Sequence, residues 1–397
     1  MKKLLILGAM EMHLPLIKRA QELGFYVITC DYILEAPGHK IANECHFDST
    51  TDLEAVLKLA QDLQIDAIMT YNSDPAAPTA AFVAEKLQLP GNPYLAVKTM
   101  SEKDLFRNFL QNNGLNHPNF FSYDKNIGTL PKIPESWYPV IIKPVDSSGS
   151  KGCTVIREQK TLPEAVKNAL EKSRCGRCII EEYIEPRGRQ LHGDGFVQDG
   201  KVTFLYLGDH YFDEKINNLV PYSTAYPTKH SPEEFQACLD EIQRFISKVG
   251  FKNGGFNVEL RISEKNGKTY IIDIGARNGG NFTPRIIQYA TGFNFLDAAL
   301  SVATGVKVPE QKIEYKGFFS HLILHSRQKG ILKKLSLSDE LATRCIDKHI
   351  YGNPGDEVNI FTGANNALGV LLMKYESREK MEYIVENFEK LYTVDFQ

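Results

Sequence analysis

A lysine at the end of an apolar strand, and the small-residue loop that follows it, could bind a polyphosphate. Lys143 closes the apolar start of the segment 140–155, and residues 146–152 read Asp-Ser-Ser-Gly-Ser-Lys-Gly. An ammonium group at a strand end can contact phosphate oxygens, and small residues let backbone N–H groups approach them closely. The Walker pattern is absent from this loop. An ordinary hairpin loop with a solvated lysine is the alternative interpretation.

Two carboxylates on neighbouring predicted strands could hold a divalent cation. Glu259 lies in the alternating segment 256–262, and Asp273 lies in the segment 270–274. Buried carboxylates are costly unless they are paired or bound to metal, and Mg²⁺ normally binds one or two carboxylates together with substrate phosphates. Magnesium binding is therefore the main interpretation. An ion pair of one of the two acids with Arg261 or Arg277 is the alternative.

An arginine follows the second acid at close range. Arg277 comes four residues after Asp273 and directly precedes Asn-Gly-Gly-Asn at 278–281. A guanidinium beside metal and phosphate can stabilise the charge that develops during phosphoryl or acyl transfer. The glycines at 279 and 280 leave backbone N–H groups for a carboxylate or an acyl phosphate. The pattern predicts a catalytic cation, and a turn residue that pairs with Asp273 is the alternative.

Four residues at the end of another apolar strand could hold a nucleotide base. They are Glu181, Glu182, Tyr183 and Ile184. Backbone groups that leave a strand can hydrogen-bond the edge of an adenine while a tyrosine or isoleucine covers its face. A strand end that carries two exposed acids is the alternative interpretation.

Composition indicates a globular chain of several structural units. The chain has 397 residues, of which 43% are hydrophobic and 24% are charged, and its formal net charge is −3. No basic tract predicts a nucleic-acid partner, and no apolar stretch is long enough to span a bilayer. Seven scattered cysteines suit a reducing compartment better than a disulfide framework, so we expect a cytoplasmic protein.

Strand and helix patterns divide the chain into regions. They alternate along residues 1–95, which predicts a parallel sheet covered by helices. A helix is expected over 102–112 with Ser101 as its N-cap, the proline-rich segment 116–138 is expected to be irregular, and an amphipathic helix is expected over 377–392. The predicted fold class is α/β and α+β, with strands dominating the middle of the chain.

Five motifs in this order resemble the ATP-grasp ligases, in the branch of biotin carboxylase, carbamoyl-phosphate synthetase and glycinamide ribonucleotide synthetase. Each motif is weak alone, but the ordered set is specific. The resemblance covers about residues 1–305. The motifs are Ser101-Glu-Lys103, Ile142-Lys143-Pro144 with its loop, Ile180-Glu-Glu-Tyr-Ile184, Asn257-Val-Glu259 and Ile272-Asp-Ile-Gly-Ala-Arg277.

The resemblance implies an ATP-grasp fold with four units. They are a Rossmann-like parallel-sheet domain over 1–100, a small lid subdomain over 101–185, a large antiparallel-sheet subdomain with the metal site over 186–305, and a C-terminal α+β domain over 306–397. Members of the family often dimerise, so a homodimer is one expected assembly.

The resemblance also implies ATP and Mg²⁺ as cofactors and suggests residue roles. Glu259 and Asp273 would bind Mg²⁺, and Arg277 and Lys143 would be catalytic. The residues that would bind ATP are Lys103, Lys143, Ser147, Ser148, Gly149, Lys151, Gly152, Glu181, Glu182, Tyr183, Ile184 and Gln190.

The leading hypothesis is an ATP-dependent ligase that activates a small-molecule carboxylate as an acyl phosphate for attack by an amine. Two positions depart from the family. Gln190 stands where a ribose-binding Glu is usual, and Asp273-x-Gly275-x-Arg277 replaces the usual Glu-x-Asn-x-Arg. These departures leave open an ATP-binding protein with no or altered ligase turnover. An NAD-dependent dehydrogenase that uses the N-terminal sheet is a third hypothesis.

Polar residues at predicted strand ends and turns are candidates for substrate binding, and they suit a polar small molecule such as an amino acid. They are Asn72, Asp74, Gly279, Gly280 and Asn281, together with the pair Asp209-His210. His321 and His325 share one face of a predicted strand. Because no third ligand accompanies them, we expect both to be surface or interface residues.

Overall fold

Alternating strands and helices form a parallel sheet at the N-terminus. The computed structural model describes residues 1–126, 128–213 and 215–397, without the side chain of Asn217. The elements are β1 (Lys3–Leu7), α1 (Leu14–Glu22), β2 (Tyr26–Cys30), β3 (Glu44–His46), α2 (Leu53–Leu63), β4 (Ala67–Met69) and α3 (Ala77–Lys86). The four strands pair in the order β3-β2-β1-β4, all parallel, so the predicted parallel sheet is confirmed.

Two helices lead from this sheet into the next unit, and their junction differs from the prediction. They are α4 (Tyr94–Ser101) and α5 (Lys103–Asn112). Ser101 ends α4, where its hydroxyl donates to the carbonyl of Val97 at 2.9 Å, so it is not the N-cap of α5. The residue that precedes α5 is Glu102, which has extended backbone and pairs with Arg177 at 2.6 Å.

A small antiparallel sheet follows. Its elements are β5 (Phe120–Asp124), β6 (Val140–Pro144), β7 (Thr154–Ile156), α6 (Leu162–Lys172) and β8 (Arg177–Glu182), and the strand order is β5-β8-β6-β7. Helix α6 covers one face through Leu162, Val166 and Ala169, which are buried. The strand β5 lies in the proline-rich segment that was predicted to be irregular, because its pairing with β8 outweighs the local sequence signal.

A large antiparallel sheet takes up most of the remaining chain. Its eight strands pair in the order β13-β12-β9-β10-β11-β14-β18-β16, so strands after residue 305 extend the same sheet. The elements up to that residue are β9 (Leu191–Gln198), β10 (Lys201–Asp213), β11 (Asn217–Tyr226), α7 (Pro232–Val249), β12 (Gly254–Ile262), β13 (Thr269–Gly275), α8 (Thr283–Thr291) and α9 (Phe295–Ala303). Those after it are β14 (Phe318–Leu324), β15 (Gly330–Leu337), α10 (Asp339–Ala342), β16 (Cys345–Ile350), β17 (Glu357–Val358), β18 (Gly369–Tyr375), α11 (Arg378–Glu386) and β19 (Tyr392–Phe396).

The C-terminal helix is shorter than predicted. It ends at Glu386, and after a 3-10 turn over Phe388–Lys390 the chain forms β19, which pairs with β15. Phe388 and Tyr392 both pack into the core cluster under α11, so tertiary packing decides the conformation of an apolar spacing that also suits a helix.

The two faces of the large sheet have different chemistry. Along β12, the apolar residues Phe256, Val258 and Leu260 pack against α7, whereas Asn257 and Glu259 point to the opposite face. Burial of the apolar face fixes the strand register, because a slip of one residue would exchange the two faces. The polar face is therefore held rigidly in place. Among the described residues, no helix is long and apolar enough to cross a membrane.

Candidate functional site

A cavity of about 310 Å³ lies between the small sheet and the polar face of the large sheet. It collects most of the residues that the sequence singled out. Those lining it are Asn72, Asp74, Lys103, Lys143, Ser147, Ser148, Gly149, Glu181, Glu182, Tyr183, Ile184, Gln190, Glu259, Asp273, Arg277, Gly280 and Asn281. Lys151, Gly152 and Gly279 do not line it.

The two predicted metal ligands face each other across neighbouring strands. Glu259 on β12 is paired in register with Asp273 on β13. Burial and the neighbouring Asp273 charge raise the pKa of Glu259. Burial also opposes ionisation of Asp273, but the charges of Lys103 and Lys143 outweigh burial and lower the pKa of Asp273. Because the Asp273 side chain is 43% exposed, solvent screens its interaction with the two lysines. Two repelling carboxylates with only oxygen donors fit a Mg²⁺ ion that shares its coordination with phosphate.

Two cations converge on a single buried carboxylate at the small sheet. Lys143 Nζ lies 3.2 Å from Glu181 Oε2, and Arg107 Nη2 lies 3.1 Å from the same oxygen. Burial alone would raise the pKa of Glu181, but the two cations lower it. The side chain of Glu181 therefore holds the lysine in place, and its backbone stays in the sheet, paired with Phe120 and Ile141.

Lys103 connects α5 to the second acid and to the loop. Its Nζ lies 3.3 Å from Asp273 Oδ2 and donates to the carbonyl of Ser147 at 3.1 Å. The ammonium groups of Lys103, on α5, and Lys143, on β6, thus both lie near the acid pair Glu259 and Asp273. A phosphate group between them would be met by positive charge on both sides.

Gln190 bridges an acid and an arginine. Its Nε2 donates to Glu259 Oε2 at 2.8 Å, and its Oε1 accepts from Arg261 Nε at 2.6 Å. Arg261 also donates to the carbonyl of Ile184 at 2.9 Å and covers the Tyr183 ring at 4.3 Å. A carboxylate at position 190 would repel Glu259 at this distance, so the amide is the side chain that this geometry accommodates.

Arg277 is held by the N-terminal domain rather than by the acid pair. Its Nε and Nη2 each lie 2.6 Å from one carboxylate oxygen of Asp74, and its Nη1 donates to the carbonyl of Asn278 at 3.0 Å. The alternative pairing with Asp273 is not what the structure shows. A Cβ added at Gly275 would lie 2.6 Å from Asp74 Oδ1, so the missing side chain at 275 makes room for this ion pair.

The small-residue loop closes over the cavity. Ser150 donates its hydroxyl proton to the carbonyl of Leu219 at 2.6 Å, and Gly149 lies against Ala364. Gly152 has a φ of +75°, and a Cβ there would lie 2.9 Å from the side chain of Lys172. The glycine at 152 therefore serves packing of the loop, while the exposed Lys151 points away from the cavity.

Residues 136–285 match a family model described as an ATP-grasp domain. The chain contains an ATP-grasp domain. Among curated proteins, it is 23% identical over 393 residues to the formate-dependent phosphoribosylglycinamide formyltransferase of Prochlorococcus marinus (strain NATL1A), covering 97% of this chain and 96% of that protein.

Solved structures confirm the ATP-grasp fold predicted from the sequence. An L-amino acid ligase from Bacillus licheniformis superposes with a TM-score of 0.84 at 23% identity, covering 100% of this chain and 99% of that one. An N5-carboxyaminoimidazole synthetase from Staphylococcus aureus complexed with ADP has a TM-score of 0.73 at 20% identity, covering 98% and 96%.

The turn after Arg277 in the ATP-grasp domain is partly occupied by an internal acid. The N–H of Gly279 donates to both carboxylate oxygens of Asp194, at 3.1 and 2.9 Å, so it is not free for a substrate. Burial raises the pKa of Asp194 to about 6 in spite of these hydrogen bonds. Gly280 and Asn281 line the cavity, whereas Asn278 lies behind it against Gly255.

The expectation that His321 and His325 are surface residues is wrong. They are only 1% and 2% exposed. His321 lines the cavity, and His325 lies outside it, close to Asp213 and Glu389 in a group of side chains that could hold a metal. Arg327 already pairs with both of those acids, so this group is an ion-pair cluster in the described structure.

Sequence reasoning missed Arg107, which ties the two sheets together. Besides Glu181, it donates to the carbonyls of Ile271 and Ile272 on β13 at 3.0 and 2.7 Å, and it is 1% exposed. The available signal was its spacing, since it follows Lys103 by one helical turn on α5 and therefore shares its face.

Replacing Arg107 should destabilise the protein strongly. Arg107→Met removes one of the two cations that pair with Glu181 and takes this donor from two carbonyls, and breaking a buried ion pair costs about 3–5 kcal/mol. Arg189→Met is the matched control, since Arg189 pairs with Glu386 at 3.2 Å and both side chains are exposed, and we expect a loss below about 1 kcal/mol. Urea unfolding measures both. Equal losses would show that Arg107 does not tie the two sheets together.

A side chain at position 275 should break the Asp74–Arg277 pair. We expect Gly275→Ala to lower the free energy of unfolding by about 1–3 kcal/mol, because the added methyl overpacks the carboxylate. In an Asp74→Ala background the same change should cost much less. Gly280→Ala is the control, since a Cβ there meets nothing within 4 Å. A cost of Gly275→Ala that does not depend on residue 74 would contradict the proposed clash.

Proposed function

We propose that this chain is an ATP-dependent ligase that activates a small-molecule carboxylate as an acyl phosphate and joins it to an amine. The observation that carries the proposal is one cavity that combines two lysines, two acids in register and an arginine. These side chains come from separate elements: Lys103 from α5, Lys143 from β6, Glu259 from β12, Asp273 from β13 and Arg277 from the turn beyond it. Nothing in the sheet architecture alone requires such a gathering of buried charge.

The cavity divides into regions that suit the parts of Mg-ATP. Tyr183 and Ile184, held by Arg261, form a partly apolar end for a base. Lys103 and Lys143 lie where phosphates would, under the loop 147–150. Glu259 and Asp273 would hold Mg²⁺, which neutralises phosphate charge when bound. Gln190 would then act by orienting Glu259 rather than by binding ribose.

The residues would promote the reaction by position and charge. In the first step a carboxylate oxygen forms a bond to the γ-phosphorus, and the bond from that phosphorus to the oxygen of ADP breaks. In the second step the neutral amine nitrogen bonds to the acyl carbon, phosphate leaves, and the nitrogen loses a proton. Arg277, fixed by Asp74, is placed to stabilise the negative charge on the reacting carboxylate and phosphate.

A nucleotide-binding protein without ligase turnover is the second candidate. The observation that favours it is that Lys143 and Lys103 are already paired with Glu181 and Asp273. A cytoplasmic location and a homodimer stay predictions. The match to the ATP-grasp domain supports ATP as the nucleotide under both candidates.

Phosphate release tests the ligase directly. Protein, ATP and Mg²⁺ are incubated with a matrix of carboxylates and amines, and we expect repeated turnover to phosphate and ADP only when both substrates are present. Omission of Mg²⁺ is the control. ATP binding without ADP formation across the matrix would favour the second candidate, and NADH binding in its place would indicate a dehydrogenase.

Lys143→Ala should weaken binding of a non-hydrolysable ATP analogue with Mg²⁺ by about 10- to 100-fold, because a hydrogen bond to a charged group is lost. Lys151→Ala, which removes the same side chain from the exposed part of the loop, should change the affinity by less than about 3-fold. Titration calorimetry measures both, and circular dichroism checks folding. Unchanged affinity in the folded Lys143→Ala variant would refute the nucleotide site.

A further inference from the structure

Three buried histidines continue the polar face of the large sheet beyond the acid pair. His192 on β9 lies opposite Glu259 in register, and its ring stacks on that of His210 at 4.3 Å between centroids. His210 on β10, Thr224 on β11 and His321 on β14 are likewise in register with one another. The histidines are 7%, 3% and 1% exposed, and all three line the cavity. We call them, with Thr224, the imidazole row.

The proton of His192 can be assigned from its neighbours. Asn257 Nδ2 lies 2.7 Å from Asp194 Oδ1 and 3.1 Å from the carbonyl oxygen of Gly193, which identifies it as the amide nitrogen, and it lies 2.9 Å from His192 Nε2; its two hydrogens are shared among these three acceptors. That ring nitrogen must therefore accept, and the ring proton is on Nδ1, which faces Thr224 Oγ1 at 3.4 Å. Burial and the adjacent histidines lower the pKa of His192 well below its usual value, so the ring is neutral.

The hydroxyl of Thr224 then determines which ring nitrogens of His210 and His321 act as hydrogen-bond donors and which as acceptors. It lies 2.9 Å from His210 Nδ1 and 3.2 Å from His321 Nε2. One of its two lone pairs accepts the proton of His192 Nδ1, so its remaining lone pair accepts from one of the other rings and its single proton goes to the other ring. Burial lowers the pKa of His210 to about 3 and that of His321 to about 4, so each ring carries a single proton at neutral pH.

It follows that the two remaining ring nitrogens are one donor and one acceptor. They are His210 Nε2 and His321 Nδ1, and both are buried without a hydrogen-bond partner among the described residues. This result does not depend on which ring Thr224 donates to. Buried polar atoms are almost always hydrogen-bonded, so two unpaired nitrogens on side chains that line the cavity call for a partner that the described residues do not supply.

In the part of the chain that the structure describes, the three strands that carry Thr224 and these two rings present no charged side chain to the cavity. The described cavity residues on β10, β11 and β14 are His210, Phe212, Leu219, Val220, Pro221, His321 and Ile323, none of which is charged at neutral pH. The Phe212 ring lies 5.6 Å from His210. An ionised group here would be desolvated with no charged partner among the described cavity residues of these three strands, whereas an apolar group would leave both nitrogens unpaired.

We propose that His210 and His321 bind an uncharged group that both donates and accepts hydrogen bonds, such as a carboxamide, on one substrate of the ligase. The inference rests on the proposed function and deepens it, since it names the substrate class as an amino acid, or a close relative, with a neutral polar side chain. Arg277 would hold the reacting carboxylate while the side chain extends along the imidazole row.

Three amino acids of similar length test the proposal: L-glutamine carries a carboxamide, L-glutamate a charge and L-methionine neither. Each is offered in the phosphate-release assay as carboxylate and as amine. We expect kcat/KM for L-glutamine to exceed that for the other two by about 10-fold or more, because a site built for a hydrogen-bonding group rejects analogues that leave it unpaired.

Variants separate the two rings from a general effect on the fold. His210→Phe and His321→Phe should each raise KM for L-glutamine by about 3- to 10-fold and reduce its preference over L-methionine, with affinity for the ATP analogue unchanged. His325→Phe is the matched control, because His325 directly follows β14, is equally buried and has an unpaired ring nitrogen, but does not line the cavity. It should leave the preference as it is.

The outcomes distinguish this inference from the proposed function. Turnover that favours L-glutamate or L-methionine would overturn the inference and leave the ligase standing. If no substrate pair gives turnover, equilibrium binding of the three amino acids is measured with the ATP analogue and Mg²⁺ present. Binding of L-glutamine alone that is lost in His210→Phe supports the inference without the ligase, and equal or absent binding of all three overturns it.

Discussion

The convergence of two buried cations on one carboxylate is the interaction on which the site depends. The carboxylate of Glu181 pairs with both Lys143 and Arg107. Arg107 also donates hydrogen bonds to two carbonyls of β13, the strand that contains Asp273. Charges can be buried this deeply only when they are paired and hydrogen-bonded. The small sheet is therefore held at a fixed distance from the large one, and the lysine and the acid face each other across a cavity of constant width.

The balance of charge within this cavity explains why a divalent cation suits it. The acids nearly offset the cations: Glu181 is matched by Lys143 and Arg107, Asp273 by Lys103, and Asp74 by Arg277. Glu259 has the amide of Gln190 as its hydrogen-bond donor, and its pKa is raised. A polyphosphate would exceed the positive charge available from side chains, so a cation at Glu259 and Asp273 would relieve both the repulsion between the acids and the excess phosphate charge.

The sequence predicted the residues of the site better than it predicted their partners. Lys143, Glu259 and Asp273 are conspicuous because each interrupts an apolar strand, and charge at such positions needs a reason. The pairing of Arg277 with Asp74 spans 203 residues, so no local pattern reveals it. Arg107 was concealed on an amphipathic helix, where a cation normally faces water. His321 and His325 were misplaced for the opposite reason, since polar side chains in an alternating strand suggest exposure unless their partners are known.

The two departures from the family pattern, Gln190 and Gly275, have a common physical cause. In each case a neighbouring acid, Glu259 or Asp74, leaves no place for the usual side chain. A side chain at 275 would collide with Asp74, and a carboxylate at 190 would repel Glu259. The strand register that places Glu259 opposite His192 puts the acid pair and the imidazole row on the same face of the sheet. That face therefore has a charged end and a neutral end. Phosphate chemistry needs the charged end, where strong fields stabilise developing charge. Selection of a substrate side chain needs the neutral end, where an unmatched polar group is costly. Substitutions in the imidazole row can therefore alter substrate specificity without moving the lysines and acids that bind phosphate.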